Sequence, residues 1–180
     1  MNAFGINNMA KRIAKFEKVS FDQFYESIKS IFYGEISEEK VEEIYDNIQL
    51  PVRSTKGSAG YDFRSTLSFT LNPYQTMTIP TGIRVNMEND WVLKMYPRSG
   101  LGFKYRIQLD NTVGIVDSDY YYSDNEGHIF IKITNDSKES KFVKFKEGDK
   151  FAQGVFVEYG ITVDDDATEI RNGGFGSTGK

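Results

Sequence analysis

The spacing of hydrophobic residues is helical near the start of the chain. Ser20, three residues before Gln23, has the pattern of a capping box, and Gly34 is the kind of residue that commonly ends a helix. Between these positions, five apolar residues fall on one helical face: Phe21, Phe24, Ile28, Ile31 and Phe32. The spacing therefore predicts an amphipathic helix that begins after Ser20 and stops at Gly34.

A second helical pattern follows, in which Val41, Ile44, Tyr45 and Ile48 share one face. Ser37 is followed by two acidic residues, which is typical of a helix start because carboxylates are stabilised near the positive end of the helix dipole. Together the two patterns predict a helical hairpin over residues 20–48, before Pro51.

After Pro51 the apolar residues alternate with polar ones, as they do in half-buried strands. The clearest sets are Leu67, Phe69 and Leu71, then Ile83, Val85 and Met87, then Ile129, Ile131 and Ile133, with turn residues such as Asn72-Pro73 and Thr81-Gly82 between them. A short strand is also expected within residues 12–19. Many short strands in a chain of 180 residues favour a mainly β sandwich or jelly-roll-like barrel, and we expect a single domain over residues 1–180.

The amino-acid composition limits which metal sites and partners the protein can have. The chain has no cysteine and one histidine, which excludes a disulfide framework and the usual zinc sites, so a bound metal would need oxygen ligands. A net charge of -4 argues against broad nucleic-acid binding. Neither a membrane span nor a signal peptide is apparent, so we expect a cytoplasmic protein without membrane contact. His128 follows turn residues, where an exposed or strand-edge position is more common than a catalytic one.

Three segments carry groups suited to phosphate chemistry. Arg98 and Ser99 stand beside flexible glycines, and a guanidinium binds phosphate oxygens in a planar fork. Asp117 and Asp119 would lie on one face of an extended segment, where one of them could act as a general base. The glycine-rich tail, residues 171–180, could wrap phosphate oxygens with its backbone. Each segment taken separately also has a simpler interpretation. The segment at Arg98 fits a surface turn, the segment at Asp117 fits an Asx-rich hairpin turn, and the glycine-rich end fits a mobile tail.

Five short segments, taken in order, resemble the motifs of the trimeric dUTPases. They are Ala59-Gly60-Tyr61-Asp62-Phe63, Pro97-Arg98-Ser99-Gly100-Leu101-Gly102, Gly114 to Tyr120, Gly148-Asp149-Lys150-Phe151-Ala152-Gln153, and Gly173-Gly174-Phe175-Gly176-Ser177-Thr178-Gly179. The resemblance implies a jelly-roll-like β-barrel of the dUTPase type, with the hairpin over residues 20–48 as an insertion. It also implies a homotrimer in which each active site takes residues from all three chains.

The resemblance further implies hydrolysis of dUTP to dUMP and pyrophosphate, which keeps uracil out of DNA and supplies dUMP for thymidylate synthesis. Asp117 would activate the water that attacks the α-phosphorus. Tyr120 would stack on the deoxyribose and exclude ribose by shape. Asn111 and Gly114 belong to the hairpin that would bind the uracil.

Other positions are assigned by the same resemblance to the triphosphate and its metal. The phosphates would be contacted by Arg98, Ser99, Gly100 and Gln153. Asp62 would reach a Mg²⁺ cofactor through water, while the ion itself sits mainly on phosphate oxygens. The tail would close over the nucleotide with Arg171 at the γ-phosphate, Phe175 on the uracil, and Gly176, Ser177 and Thr178 over the phosphates.

The chain departs from the family pattern at several places. Arg171 lies four residues before Phe175, where the family usually has five. Residues 121–127 lengthen the segment after the third motif. Gly154 replaces a common aliphatic residue. The hairpin over residues 20–48 is extra, and it is either a packing element or a surface for a protein partner.

Two alternatives to a dUTPase stay open at this point. A dCTP deaminase-like enzyme of the same superfamily would share the fold and the triphosphate site. A dUTP-dependent regulatory protein would use the nucleotide to close its tail and change a partner-binding surface.

Overall fold

The structure is a computed structural model that describes residues 11–171 and residue 173. The elements in this part of the chain are β1 (Ala14–Lys18), α1 (Phe21–Ile31), α2 (Glu38–Asn47), β2 (Val52–Arg53), β3 (Tyr61–Arg64), β4 (Phe69–Leu71), β5 (Thr76–Pro80), β6 (Ile83–Met87), β7 (Trp91–Pro97), α3 (Ser99–Tyr105), β8 (Ile107–Leu109), β9 (Gly114–Val116), a 3-10 helix (Ser118–Tyr122), β10 (Phe130–Asn135), β11 (Val143–Phe145) and β12 (Lys150–Glu158). No helix among the described residues is both long and apolar enough to cross a bilayer.

The strands pair in antiparallel fashion throughout the described part of the chain. The largest sheet has the order β2-β3-β12-β7-β9, and a second has the order β5-β10-β8. Two further pairs join β1 to β6 and β4 to β11. Their inward residues form one apolar core, whose most deeply buried members include Ile79, Leu93, Ile133 and Phe151. The expected mainly β, jelly-roll-like architecture is confirmed.

Gly154 in β12 has a packing explanation. A Cβ atom at this position would lie 2.8 Å from Leu93 Cδ1 and 3.1 Å from Phe63 Cε2. Large side chains from β7 and β3 therefore fill the volume that an aliphatic residue in β12 would otherwise take.

The predicted helical hairpin is present as α1 and α2, and Ser20 and Ser37 cap the two helices as expected. α1 ends at Ile31 rather than at Gly34, because Tyr33 and Gly34 both have left-handed backbone conformations, with φ of 50° and 81°. The hairpin has its own apolar cluster, formed by Val19, Phe24, Ile28, Val41, Ile44 and Leu67. Leu67 lies between β3 and β4, so the helices pack against the part of the chain that forms the strands.

The predicted capping box at the start of α1 is only half formed. The backbone N–H of Gln23 donates to Ser20 Oγ at 3.1 Å, as predicted. The Gln23 side chain does not return to Ser20, because its Nε2 donates to Ser27 Oγ at 3.1 Å. The backbone N–H of Ser20 instead donates to the carboxylate of Glu126 at 2.7 Å. A residue 106 positions away thus completes the cap of this helix.

Candidate active site

The third motif begins as a strand and continues as a 3-10 helix. β9 pairs with β7, and a Cβ atom at Gly114 would lie only 2.9 Å from Met95 Cβ, so this close approach favours glycine. Asp117 has an extended backbone, with φ of -79° and ψ of 159°, and the chain then turns into the 3-10 helix. The sequence suggested an extended segment that includes both Asp117 and Asp119. In the structure the extended conformation ends at Asp117, and Asp119 lies in the 3-10 helix.

Arg171 brings the two carboxylates of this motif together. Its Nη2 lies 2.6 Å from Asp117 Oδ2, and its Nε lies 2.9 Å from Asp119 Oδ1. The guanidinium carbon is also 5.8 Å from the centre of the Tyr120 ring. The Asp117 side chain keeps 47% of its surface exposed, so its carboxylate remains open to solvent and ligands. The structure thus places Arg171 against the candidate base.

Tyr120 is buried, with 4% of its surface exposed. Its hydroxyl donates to the carbonyl of His128 at 2.8 Å, and it accepts from Asn125 Nδ2 at 2.8 Å. Burial raises the pKa of Tyr120, which keeps the phenol protonated near neutral pH. The ring is therefore neutral and tied at its hydroxyl end to residues 125–128.

A cavity of about 370 Å³ lies next to the start of this motif. Its walls include Asn111, Gly114, Val116 and Met95, and most of the surface they present is apolar. A flat heterocycle suits such a cavity, because apolar walls bury its faces while a few polar groups contact its edge. The structure thus places Asn111 and Gly114 in the wall of one cavity, with Asp117 one residue beyond Val116 of the same wall.

Asp62 is a buried carboxylate that contacts two cationic side chains. It is 5% exposed, and its carboxylate contacts Ser54 Oγ and Lys150 Nζ, both at 2.6 Å, and Arg98 Nε at 3.3 Å. Burial acts to raise the pKa of Asp62, but hydrogen bonds from Lys150 and Ser54 and the nearby Arg98 outweigh it, so the pKa is lowered. The ionised carboxylate orients Arg98.

The environment of Asp62 suits an outer role toward a metal ion. No group of three or more His, Cys, Asp or Glu side chains converges as a metal site among residues 11–171 and 173. Asp62 Oδ2 is held by Ser54 and Lys150, whereas Oδ1 has the longer contact to Arg98. An ionised oxygen of this kind can accept a hydrogen bond from a metal-bound water, which fits an ion carried mainly by phosphates.

The remaining phosphate candidates surround the end of β7. Ser99 and Gly100 are exposed at the start of α3, and Gln153 Nε2 donates to the carbonyl of Pro97 at 3.2 Å. A second cavity, of about 360 Å³, has one acidic residue, Asp149, in its lining together with four basic ones: Arg64, Arg98, Lys144 and Lys150. This surface is suited to anions.

The candidate residues thus form two groups within one chain. The apolar cavity beside Asn111 and Gly114 and the basic cavity beside Arg98 share no lining residue. Arg171 joins the first group through Asp117. Phe175, Gly176, Ser177 and Thr178 lie outside the described residues.

Several contributors were missed from the sequence. Lys150 stands inside the fourth motif, three residues before Gln153, and that position was the available signal for it. Ser54 and Asn125 could not be found in this way, because both lie outside the five motifs. His128, expected at an exposed or strand-edge position, is fully buried.

Comparisons with known proteins indicate the family of this chain. A family model described as dUTPase matches residues 46–179. Deoxyuridine 5'-triphosphate nucleotidohydrolase of Lactococcus lactis is 41% identical over 135 residues, covering 73% of this chain and 89% of that protein. The Escherichia coli K12 protein of the same name is 37% identical over 139 residues, covering 73% and 87%.

Solved structures of dUTPases are also similar to this chain in fold. The crystal structure of dUTPase from Streptococcus mutans is similar with a TM-score of 0.60 at 28% identity, covering 83% of this chain and 98% of that one. A dUTPase mutant from phage phi11 of S. aureus, described with a structural Mg(II) ion, shares the fold with a TM-score of 0.57 at 24% identity, covering 69% of this chain and 92% of that one. The chain is a mainly β protein with the fold that these dUTPases share. It belongs to the dUTPase family.

Proposed function

We propose that this protein hydrolyses dUTP to dUMP and pyrophosphate. The observation that carries the proposal is the layout of the third motif on the dUTPase fold. β9 places Gly114 and Val116 in the wall of an apolar cavity and ends immediately before the half-exposed carboxylate of Asp117. A base held in that cavity would leave its sugar and α-phosphate beside Asp117 and Tyr120.

In the proposed reaction, Asp117 accepts a proton from a water molecule as that water attacks the α-phosphorus. A new bond forms between the water oxygen and phosphorus, and the bond to the bridging oxygen breaks. Pyrophosphate leaves with that electron pair. Arg98 and the basic residues around Asp62 stabilise the charge on the phosphates, because planar guanidinium groups match phosphate oxygens.

A magnesium ion fits this scheme as the cofactor. When bound, Mg²⁺ would neutralise charge on the triphosphate oxygens, and Asp62 would hold it through a water ligand. Asp62 also fixes Arg98 at 3.3 Å, so one carboxylate would serve both cations.

Tyr120 is the proposed determinant for deoxyribose. Its hydroxyl is already bonded to the His128 carbonyl and to Asn125. The face of the ring therefore offers packing rather than a polar partner for an additional 2′-hydroxyl, which disfavours ribonucleotides.

The separation of the candidate residues into two groups supports a site assembled between chains. We place Asp117, Tyr120 and the base cavity of one subunit against Arg98, Asp62, Gln153, Ser99 and Gly100 of another, in a homotrimer. The tail would then complete the site with Arg171, Phe175, Gly176, Ser177 and Thr178. The enzyme would act on the cytoplasmic nucleotide pool.

The direct test is a substrate panel. The protein is incubated with Mg²⁺ and dUTP, dCTP, UTP or dTTP in turn, and released pyrophosphate and ammonia are measured. We expect pyrophosphate from dUTP alone and no ammonia. Ammonia from dCTP would instead identify a deaminase. Protein carrying Asp117→Asn serves as the matched control for contaminating phosphatases.

A further inference from the structure

The segment after Tyr120 folds back over the residues that precede it. The backbone N–H groups of Ser123, Glu126 and His128 donate to the carbonyls of Tyr120, Ser123 and Asn125, at 3.1, 2.8 and 3.0 Å. Gly127 closes the reversal with φ of 71°, and a Cβ atom there would lie 2.8 Å from the carbonyl oxygen of Tyr120. Only glycine fits this position easily. The insertion is therefore a compact, ordered loop packed on Tyr120.

The loop holds the hydroxyl of Tyr120 from two sides. Asn125 Oδ1 accepts from the backbone N–H of Gly127 at 3.2 Å, which turns Asn125 Nδ2 toward the tyrosine. That amide donates to the Tyr120 hydroxyl, and the hydroxyl donates to the His128 carbonyl, both at 2.8 Å. Each donor meets an acceptor, so the tilt of the ring is defined by residues 125–128.

The helical hairpin in turn holds the loop. The backbone N–H and the hydroxyl of Ser20 both donate to the Glu126 carboxylate, at 2.7 and 2.6 Å. This carboxylate lies at the start of α1, where negative charge is favourable. Burial acts to raise the pKa of Glu126, but the hydrogen bonds from Ser20 and the charge of Arg84 outweigh it and lower the pKa, so the carboxylate is ionised at neutral pH.

His128 forms the second connection between the loop and the hairpin. Its Nε2 accepts from the backbone N–H of Gly82 at 2.8 Å, so Nδ1 carries the proton and donates to Ser27 Oγ at 3.0 Å. Ser27 donates onward to the Gln23 carbonyl at 2.8 Å. Burial lowers the pKa of His128 to about 3, which keeps this donor and acceptor arrangement fixed.

We propose that the helical hairpin and the loop over residues 121–127 act as one unit that positions Tyr120 for the selection of deoxyribose. Its positioning residues are Asn125 and Glu126 of the loop and His128, which directly follows the loop. The family match begins at residue 46, so nearly all of the hairpin lies outside it. This chain thus connects a segment outside the family match, through Glu126, to the loop that contacts Tyr120. The inference rests on the proposed role of Tyr120. Exclusion by shape depends on a ring held within fractions of an ångström, and the unit supplies that restraint.

The test compares kcat/KM for dUTP with kcat/KM for UTP. Asn125→Ala removes the amide that contacts the Tyr120 hydroxyl, and Glu126→Gln weakens the contact to Ser20 without changing size. We expect the dUTP preference to fall about tenfold in Asn125→Ala and a few-fold in Glu126→Gln, mainly through faster UTP turnover, while kcat for dUTP stays within about threefold. Asp124→Ala changes an exposed neighbour in the same loop and should keep the wild-type preference.

Two outcomes separate this inference from the proposed function. If Tyr120→Ala reduces the preference for dUTP while Asn125→Ala and Glu126→Gln retain it, the positioning role is wrong and the role of Tyr120 stands. If wild-type protein does not discriminate dUTP from UTP, the proposed role of Tyr120 fails first. Equal losses on both nucleotides would indicate general loosening and would also overturn the inference. Should Asn125→Ala not fold, Glu126→Gln decides.

Discussion

Asp117 and Asp119 are two residues apart and share one guanidinium, but their backbone settings differ. Asp117 has an extended conformation directly after β9 and beside the apolar cavity, whereas Asp119 lies within the 3-10 helix. We therefore propose that Asp117 activates the water. Both carboxylates contact Arg171.

Replacing Asp117 by asparagine should separate binding from turnover. Because the change removes the proton acceptor and nearly preserves the shape, we expect Asp117→Asn to lower kcat for dUTP by about 10²- to 10⁴-fold. Binding of an α,β-imido analogue of dUTP, measured by calorimetry, should change only a few-fold. Asp119→Asn is the matched comparison and should cost less than about tenfold in kcat. A larger loss in Asp119→Asn than in Asp117→Asn would reverse the assignment.

Asp119 should limit the access of proteases to Arg171, because it holds the guanidinium in place. Exposed ion pairs contribute up to about 1 kcal/mol, so Asp119→Asn is expected to raise the population of released Arg171 by about two- to fivefold. Trypsin cleaves after arginine, and the loss of residues 172–180 is visible by mass spectrometry. The rate of that cleavage should rise by the same factor when local opening is fast. Asp124→Asn is the control, and equal rates in the two variants would show that Asp119 does not hold Arg171.

At the scale of the element, periodicity in the sequence predicted much of the fold. Helical spacing located α1 and α2, and alternation located β4, β6 and β10. These patterns are local, because each reports which face of a segment is buried. The contact between Ser20 and Glu126 joins residues 106 positions apart, and no local pattern carries that information. The same limit explains why His128 was expected at an exposed or strand-edge position although it is fully buried.

The docking of the hairpin should depend on pH through His128. Its pKa is about 3 in the folded protein against an ordinary value of 6.5, so folding requires the neutral ring. The stability it supports is fully present above pH 6.5 and declines as the pH falls from 6.5 toward 3, since the unfolded chain then binds a proton that the folded protein does not. Between pH 7 and pH 5 the free energy of unfolding should drop by about 2 kcal/mol.

Urea unfolding at fixed protein concentration measures this effect, because any subunit association makes stability depend on concentration. The chain has one histidine, so few other groups titrate between pH 7 and pH 5. His128→Gln is the matched control. It should be less stable at pH 7 and should lose most of the pH dependence in this range. An equal pH dependence in both proteins would mean that His128 does not couple folding to protonation.

At the scale of the whole molecule, the candidate residues of one chain lie in two separate groups. The five motifs supplied the candidate residues of both groups from the sequence, but not which of these residues lie together. Pairing of β9 with β7 places Gly114 beside Met95, while Asp62 and Gln153 are cross-strand partners in β3 and β12. Register between distant strands decides these groupings, and it depends on the packing of the complete sheet.

A mixture of two inactive variants should therefore recover activity. Asp117→Asn removes the proposed proton acceptor, and Arg98→Ala removes one of the cations proposed to bind the phosphates. If each site takes Asp117 from one subunit and Arg98 from another, refolding equal amounts together gives a random mixture of trimers, and about a quarter of all sites in that mixture have both residues intact. The mixture should show about a quarter of wild-type dUTP hydrolysis, and light scattering should give three times the mass of one chain. Each variant refolded alone is the control. A mixture no more active than those controls, at the same trimeric mass, would show that Asp117 and Arg98 of a single chain serve the same site.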